Sequence, residues 1–167
     1  MALQPSQYRG ALSPAQAAEG IALARANASR LIGDAELLLE AGRHPSSIAL
    51  AILAIEELGK VQILKSIALF SDPDQLKKTW RDYRSHRAKN VHWIIPKLAA
   101  EGARTLEALR PATNKDGEHT AILDGVKQLA LYTDCFTNAV RWSEPCRGVA
   151  CAATGQKCDA QTGDRKK

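Results

Sequence analysis

A chain of 167 residues with 45% hydrophobic and 25% charged content has the apolar material for one domain with a real core and too little length for two. It holds no run of about 18 uncharged apolar residues. Its start, Met1-Ala2-Leu3-Gln4-Pro5, lacks the basic-then-apolar order of a secretory signal, so the expectation is a cytoplasmic protein with no membrane partner. The formal charge of +5 is concentrated: between Lys77 and Lys97 seven lysines and arginines face a single aspartate, a local +6. Such a segment suits an anionic partner such as RNA, with a solvated helix face as the bland alternative.

Helix signals dominate and strand signals are nearly absent. Ser13-Pro14-Ala15-Gln16 supplies an N-cap, a first-turn proline and a capping-box glutamine, and Gly42 ends the alanine- and leucine-rich run that follows, so the first helix is expected over 14–41. Pro45 restarts the chain after a short link. From Ile48 to Phe70 apolar residues occupy several faces, which predicts that the second helix is the most buried. Asp72-Pro73-Asp74-Gln75 repeats the cap and opens a third helix carrying the basic segment, kinked or interrupted at Pro96 and continuing to about Leu109. Residues 110–117 have the composition of a loop, and Glu118 to about Val140 resumes a helical pattern. The expected fold is therefore all-α, an antiparallel bundle of four to five helices over residues 1–145, followed by a mobile tail over 146–167.

Four cysteines, Cys135, Cys146, Cys151 and Cys158, are confined to the last third, and their spacings lack the paired CxxC knuckles of a zinc site. No metal and no cofactor is expected.

The candidate chemistry lies on the second and third helices. Glu56 and Glu57 interrupt an apolar run; on a helical wheel Glu57 aligns with Leu50, Leu53, Val61 and Leu64, and Glu56 with Ile52 and Ile63. At least one carboxylate must approach the core, where it is unfavourable by several kcal/mol unless a cation meets it. Lys60, four residues beyond Glu56, is a local partner for it. An internal salt bridge and a catalytic site explain this pair equally well. On the third helix Asp82, His86, Lys89 and Trp93 form one stripe, and Arg81 stands about 140° around from His86 on ideal geometry. Histidine exchanges protons near neutral pH and arginine stabilises developing phosphate charge, which suffices for metal-free RNA cleavage by the neighbouring 2′-hydroxyl. His44, His92 and His119 stand in no comparable constellation.

The run Arg81-Asp82-Tyr83-Arg84-Ser85-His86 resembles the RxxxxH signature of the HEPN superfamily, helical-bundle proteins of which many are metal-independent ribonucleases acting as dimers. The wider order, Ala49 to Lys60 through Glu56-Glu57-Leu58-Gly59-Lys60, then His86-x-x-Lys89, then Leu131-Tyr132-Thr133-Asp134 with Trp142 and Pro145, is similar to the AbiV family of abortive-infection proteins over roughly residues 15–145. The resemblance implies a HEPN-like bundle, a shared polar site of Glu57, Lys60, His86 and Lys89, Arg81 completing the ribonuclease signature, and Tyr132 contributing from the last helix. It also implies a symmetric homodimer in which two motifs meet. Arg84, Arg87, Lys77 and Lys78 are the candidate RNA-binding residues.

Two functions follow as expectations. One is a phage-defence endoribonuclease with His86 as general acid or base. The other is a non-catalytic abortive-infection protein that binds a phage or host protein and arrests translation. Either requires a phage trigger or an inhibitor to restrain it. A carboxylate-bridged metal bundle is disfavoured because the chain lacks the doubled Glu-x-x-His pair such sites use.

Overall fold

The computed structural model describes residues 7–132 and the backbone of 135–136 and 141–142. Within them the chain is helical: α1 (Pro14–Glu40), α2 (His44–Leu69), α3 (Pro73–Arg84), α4 (His86–Lys89), α5 (Ile95–Ala100), α6 (Leu106–Leu109) and α7 (Glu118–Leu131), with 3₁₀ turns at Val91–Ile94 and Arg110–Thr113. The all-α bundle expected from the sequence is what forms. No described helix is long and apolar enough to cross a membrane. The tail expected over 146–167 lies outside the described residues.

Capping places the first helices. Ser13 Oγ accepts from the Gln16 amide at 3.2 Å while Gln16 Oε1 accepts from the Ser13 amide at 2.9 Å, the reciprocal pair that the sequence encodes. Gly42, at φ 70°, turns the chain after α1, a left-handed conformation that favours glycine. The short turn folds α2 back along α1. The buried face of α1 is mostly alanine (Ala17, Ala24, Ala28 and Ala35, with Leu31), so α2 lies close against it, and Ser47 Oγ donates to the Ala35 carbonyl at 2.7 Å.

Helix α2 is the central element and packs against α1, α3, α4 and α7. Its Leu64 and Ile67 join Leu76 and Trp80 of α3 in one apolar cluster, Ala54 packs with Ala28 and Leu31 of α1, and Ala49 meets Ala130 of α7. Trp80 Nε1 donates to the Gly10 carbonyl at 2.9 Å, tying the segment before α1 to the core.

The third helix departs from expectation. It is continuous only to Arg84. Ser85, at φ −82° and ψ 123°, leaves the helix and starts α4, its side chain accepting from the Ala88 amide at 3.3 Å. Serine favours this role because its hydroxyl satisfies a first-turn amide that has no helical partner. Of the kink or interruption expected at Pro96, the structure has an interruption: Pro96 falls in the first turn of a new helix, α5, where a proline costs nothing. Residues 110–113 form a 3₁₀ turn where a loop was expected. The last helix ends at Leu131, short of Val140, and the backbone beyond it pairs Cys135–Phe136 antiparallel with Arg141–Trp142.

Candidate active site

The break at Ser85 builds the site. It puts His86 at the first position of α4, next to the middle of α2, where Gly59 makes room: a Cβ there would overlap the Lys89 carbonyl oxygen. With α4 against α2 at this distance, His86 and Lys89 both reach Glu56.

Glu56 is the hub. Its side chain is only 3% exposed, and it gathers three cationic or donor groups from two other helices. His86 Nδ1 lies 2.6 Å from Oε2, Lys89 Nζ 3.3 Å from the same oxygen, and Lys127 Nζ of α7 2.6 Å from Oε1. Lys127 also pairs with Asp124 at 3.2 Å. Both lysines are buried, at 6% and 9% exposure, so two buried cations are matched by Glu56 and the half-buried Asp124. Burial alone pushes the Glu56 carboxyl up. The hydrogen bonds from Lys127 and His86 and the charges of Lys127 and Lys89 outweigh it and hold Glu56 below the usual carboxylate value.

An ionised carboxylate only accepts, so the 2.6 Å contact requires a proton on His86 Nδ1. Lys127 Nζ approaches that nitrogen to 3.2 Å, a longer contact than its 2.6 Å bond to Glu56 Oε1, and a protonated Nδ1 has no lone pair with which to accept from it. The bond to Glu56 therefore selects the tautomer and leaves Nε2 as the free, proton-accepting nitrogen. The His86 side chain is 54% exposed, and its recorded hydrogen bonds are both at Nδ1. A carboxylate–imidazole pair with one nitrogen engaged and the other open is the arrangement of a general base with its orienting group.

Ser85 and Arg87, the residues flanking His86, line a groove of about 360 Å³ with Lys78, Arg81, Asp82, Lys115 and Asp116. Four cations line it, one of them Lys115, held by Asp82 at 3.1 Å. Arg81 and Lys78 continue into an adjoining hollow with Lys77, Asp74 and Gln75. Among the described residues no three side chains of the His, Cys, Asp or Glu type converge to hold a metal ion.

Of the residues expected to share one polar site, the structure brings His86 and Lys89 together and places the others apart from them. The carboxylate of the shared site is Glu56, not Glu57. Lys60 pairs with Glu57 at 2.5 Å and not with Glu56, forming a separate half-buried pair with Lys60 Nζ 5.6 Å from the centre of the Tyr83 ring. Arg81 is exposed on α3 and does not join the Glu56 cluster. Arg84 is half-buried and lines neither groove. Tyr132, 57% exposed just past α7, makes no hydrogen bond to the cluster among the described residues. The expected stripe is split: Asp82 pairs with Lys115, while Trp93 donates to the His119 carbonyl at 3.1 Å.

Lys127 was missed. Thr120, Leu123, Lys127 and Ala130 are the buried residues of α7, so its lysine occupies the apolar stripe at helical spacing. That is the signal by which an internal ion-pair partner for Glu56 is recognisable.

The family model for the AbiV HEPN proteins matches residues 16–154. Comparison with curated proteins and with solved structures gives no match.

Proposed function

Because this chain belongs to the AbiV family, the abortive-infection branch of the HEPN superfamily, we propose that it acts as a metal-independent endoribonuclease with His86 as its proton-transfer group. The observation that carries this reading is the buried Glu56 carboxylate held on His86 Nδ1, which leaves Nε2 of a half-exposed side chain unengaged between two neighbours, Ser85 and Arg87, that line a groove of four cations and two aspartates. In the proposed reaction the 2′-hydroxyl oxygen of the RNA attacks the adjacent phosphorus and the bond to the 5′-oxygen breaks. Nε2 of one His86 takes the hydroxyl proton, and a second His86 donates one to the departing oxygen. Two histidines are needed for that exchange, which supports a homodimer pairing two sites across a two-fold axis. In this reading Arg81 and Arg87, which line the groove, contact the phosphate and stabilise its developing charge. Lys89 and Lys127 act through Glu56: they keep it ionised, and with Asp124 they hold the buried charge near neutrality, so a proton on His86 leaves the site positive toward an anionic transition state.

The test is incubation of purified wild type and His86→Ala with total RNA in chelator, with end mapping and melting curves for both proteins. Cleavage leaving 2′,3′-cyclic phosphate and 5′-hydroxyl ends, lost in a variant that melts normally, is the expected result. Intact RNA with wild type would overturn the nuclease and favour a protein that arrests translation by binding a phage or host partner.

A further inference from the structure

A cavity of about 380 Å³ lies between α1, α2, the end of α4, the 3₁₀ turn at Val91–Ile94 and α5. Its walls are mainly apolar, with Ile55, Leu58 and Trp93 among them, and its polar groups are few: Arg25, Gln62, Lys89 and His92. No acidic side chain lines it. Lys89 is shared with the Glu56 cluster, so this cavity and His86 have a wall in common. Gln62 and His92 also line a second hollow that reaches Lys78 and Asp82, and these two residues border the basic groove beside His86. The apolar cavity and the basic groove therefore each share two lining residues with the hollow between them.

We infer that this cavity receives one unstacked nucleobase of a single-stranded RNA whose phosphates follow the basic groove, with Gln62 and His92 reading the base edge. The inference rests on the ribonuclease reading above and extends it to sequence preference. A volume near the lower end of the range for small-molecule sites suits one planar group better than an acyl chain or a peptide. Bases splayed from a single strand are recognised by apolar or aromatic surfaces combined with side chains that both donate and accept. Gln62 supplies both roles through its amide. Burial pushes the His92 imidazole down from the usual histidine value, so at neutral pH it is uncharged and also offers one donor and one acceptor. The Trp93 indole is fixed by its bond to the His119 carbonyl, which keeps that wall rigid. Arg25, at the α1 edge, adds a cation without a carboxylate opposite it in the cavity.

The experiment measures binding of short labelled homopolymer RNAs of each base to His86→Ala protein, as a function of salt, alone and with Gln62→Leu or His92→Phe added. The expected result is about a tenfold preference among the four bases that Gln62→Leu and His92→Phe each largely erase, with the salt slope unchanged. Lys115→Ala and Arg87→Ala should instead weaken all four strands alike and each lower the slope by about one. Gln62 is exposed, so its replacement is compatible with folding, and melting curves confirm it. Binding with no base preference, or a preference that survives both cavity variants, would overturn the inference while leaving the nuclease intact. Mononucleotides that bind as tightly as strands would overturn it in favour of a free nucleotide. Failure of every RNA to bind would overturn it together with the reading on which it rests.

Discussion

Replacing Glu56 by glutamine keeps the shape of the side chain and removes its charge. Lys127 and Lys89, 6% and 9% exposed, then face each other in the core with only the half-buried Asp124 opposite them. Removing one partner of a buried ion pair typically costs about 3–5 kcal/mol, because the charge left behind has been taken out of water without compensation. Against a total stability of about 5–15 kcal/mol that is a large fraction. At about 2–4 °C per kcal/mol for a domain of this size, Glu56→Gln should lower Tm by about 6–20 °C. Glu57→Gln is the control. It removes an equivalent charge one residue away, from a pair whose side chains are 18–20% exposed, and should cost about 1 kcal/mol or less. Adding Lys127→Met to Glu56→Gln should recover part of the loss, since a methionine of similar length tolerates the burial that an unpaired ammonium does not. Urea titrations of the four proteins supply the measurement. A Glu56→Gln variant within about 0.5 kcal/mol of wild type, or less perturbed than Glu57→Gln, would refute the assignment of Glu56 as the charged hub.

Gly59→Ala should destabilise by about 1–3 kcal/mol and reduce RNA cleavage, because the added methyl pushes α4 from α2 and carries His86 away from Glu56; unchanged urea midpoint and cleavage rate would contradict the close approach. Ser85→Ala removes the cap that starts α4 and should cost about 1 kcal/mol, with a larger proportional loss of cleavage than of stability, read from melting and rate together. Stability should also fall with pH in two stages. His92 is lowered in the folded state, so below its ordinary 6.5 the unfolded chain binds a proton first and stability declines as pH falls. Glu56 is likewise lowered; its stabilisation is complete above the ordinary 4.5 and is lost as pH drops from there through its folded value. Denaturant midpoints from pH 8 to 3.5 test both, and His92→Gln should abolish the upper stage alone.

Long periodic helices and their caps were legible from residues alone. Ser13 with Gln16, Gly42, and Asp72 before Pro73 mark their positions through local hydrogen bonding and backbone preference, which depend on near neighbours. The break at Ser85 was not legible, because a serine in a basic helical run has no local reason to leave the helix. What decides is the packing of α4 on α2 across Gly59 and the bond from His86 to Glu56, thirty residues away in sequence. The same break voids the ideal-helix angle between Arg81 and His86. The choice between Glu56 and Glu57 failed for a related reason: the apolar residues of α2 surround it on several faces, so the wheel assigns no unique inner side, and only the position of Lys127 on α7 does.

The RxxxxH signature therefore marks only the outer half of the site. His86 and three of the four groove cations, Lys78, Arg81 and Arg87, come from one stretch of sequence, whereas Glu56 and Lys127, which set the tautomer of that histidine, are 71 residues apart and visible only as polar residues in apolar stripes. An imidazole half open to solvent rotates and exchanges tautomers freely unless something holds one nitrogen. Here that restraint is a carboxylate too deeply buried to be reached by competing water, and kept ionised by two lysines that are themselves too buried to pair elsewhere. The arrangement explains why the most polar cluster of the fold lies in its interior beside an exposed histidine. The energetic cost of burying those charges is offset only if all members are present, and on the proposed ribonuclease reading the cluster fixes the reactive atom of the proton-transfer group before substrate arrives.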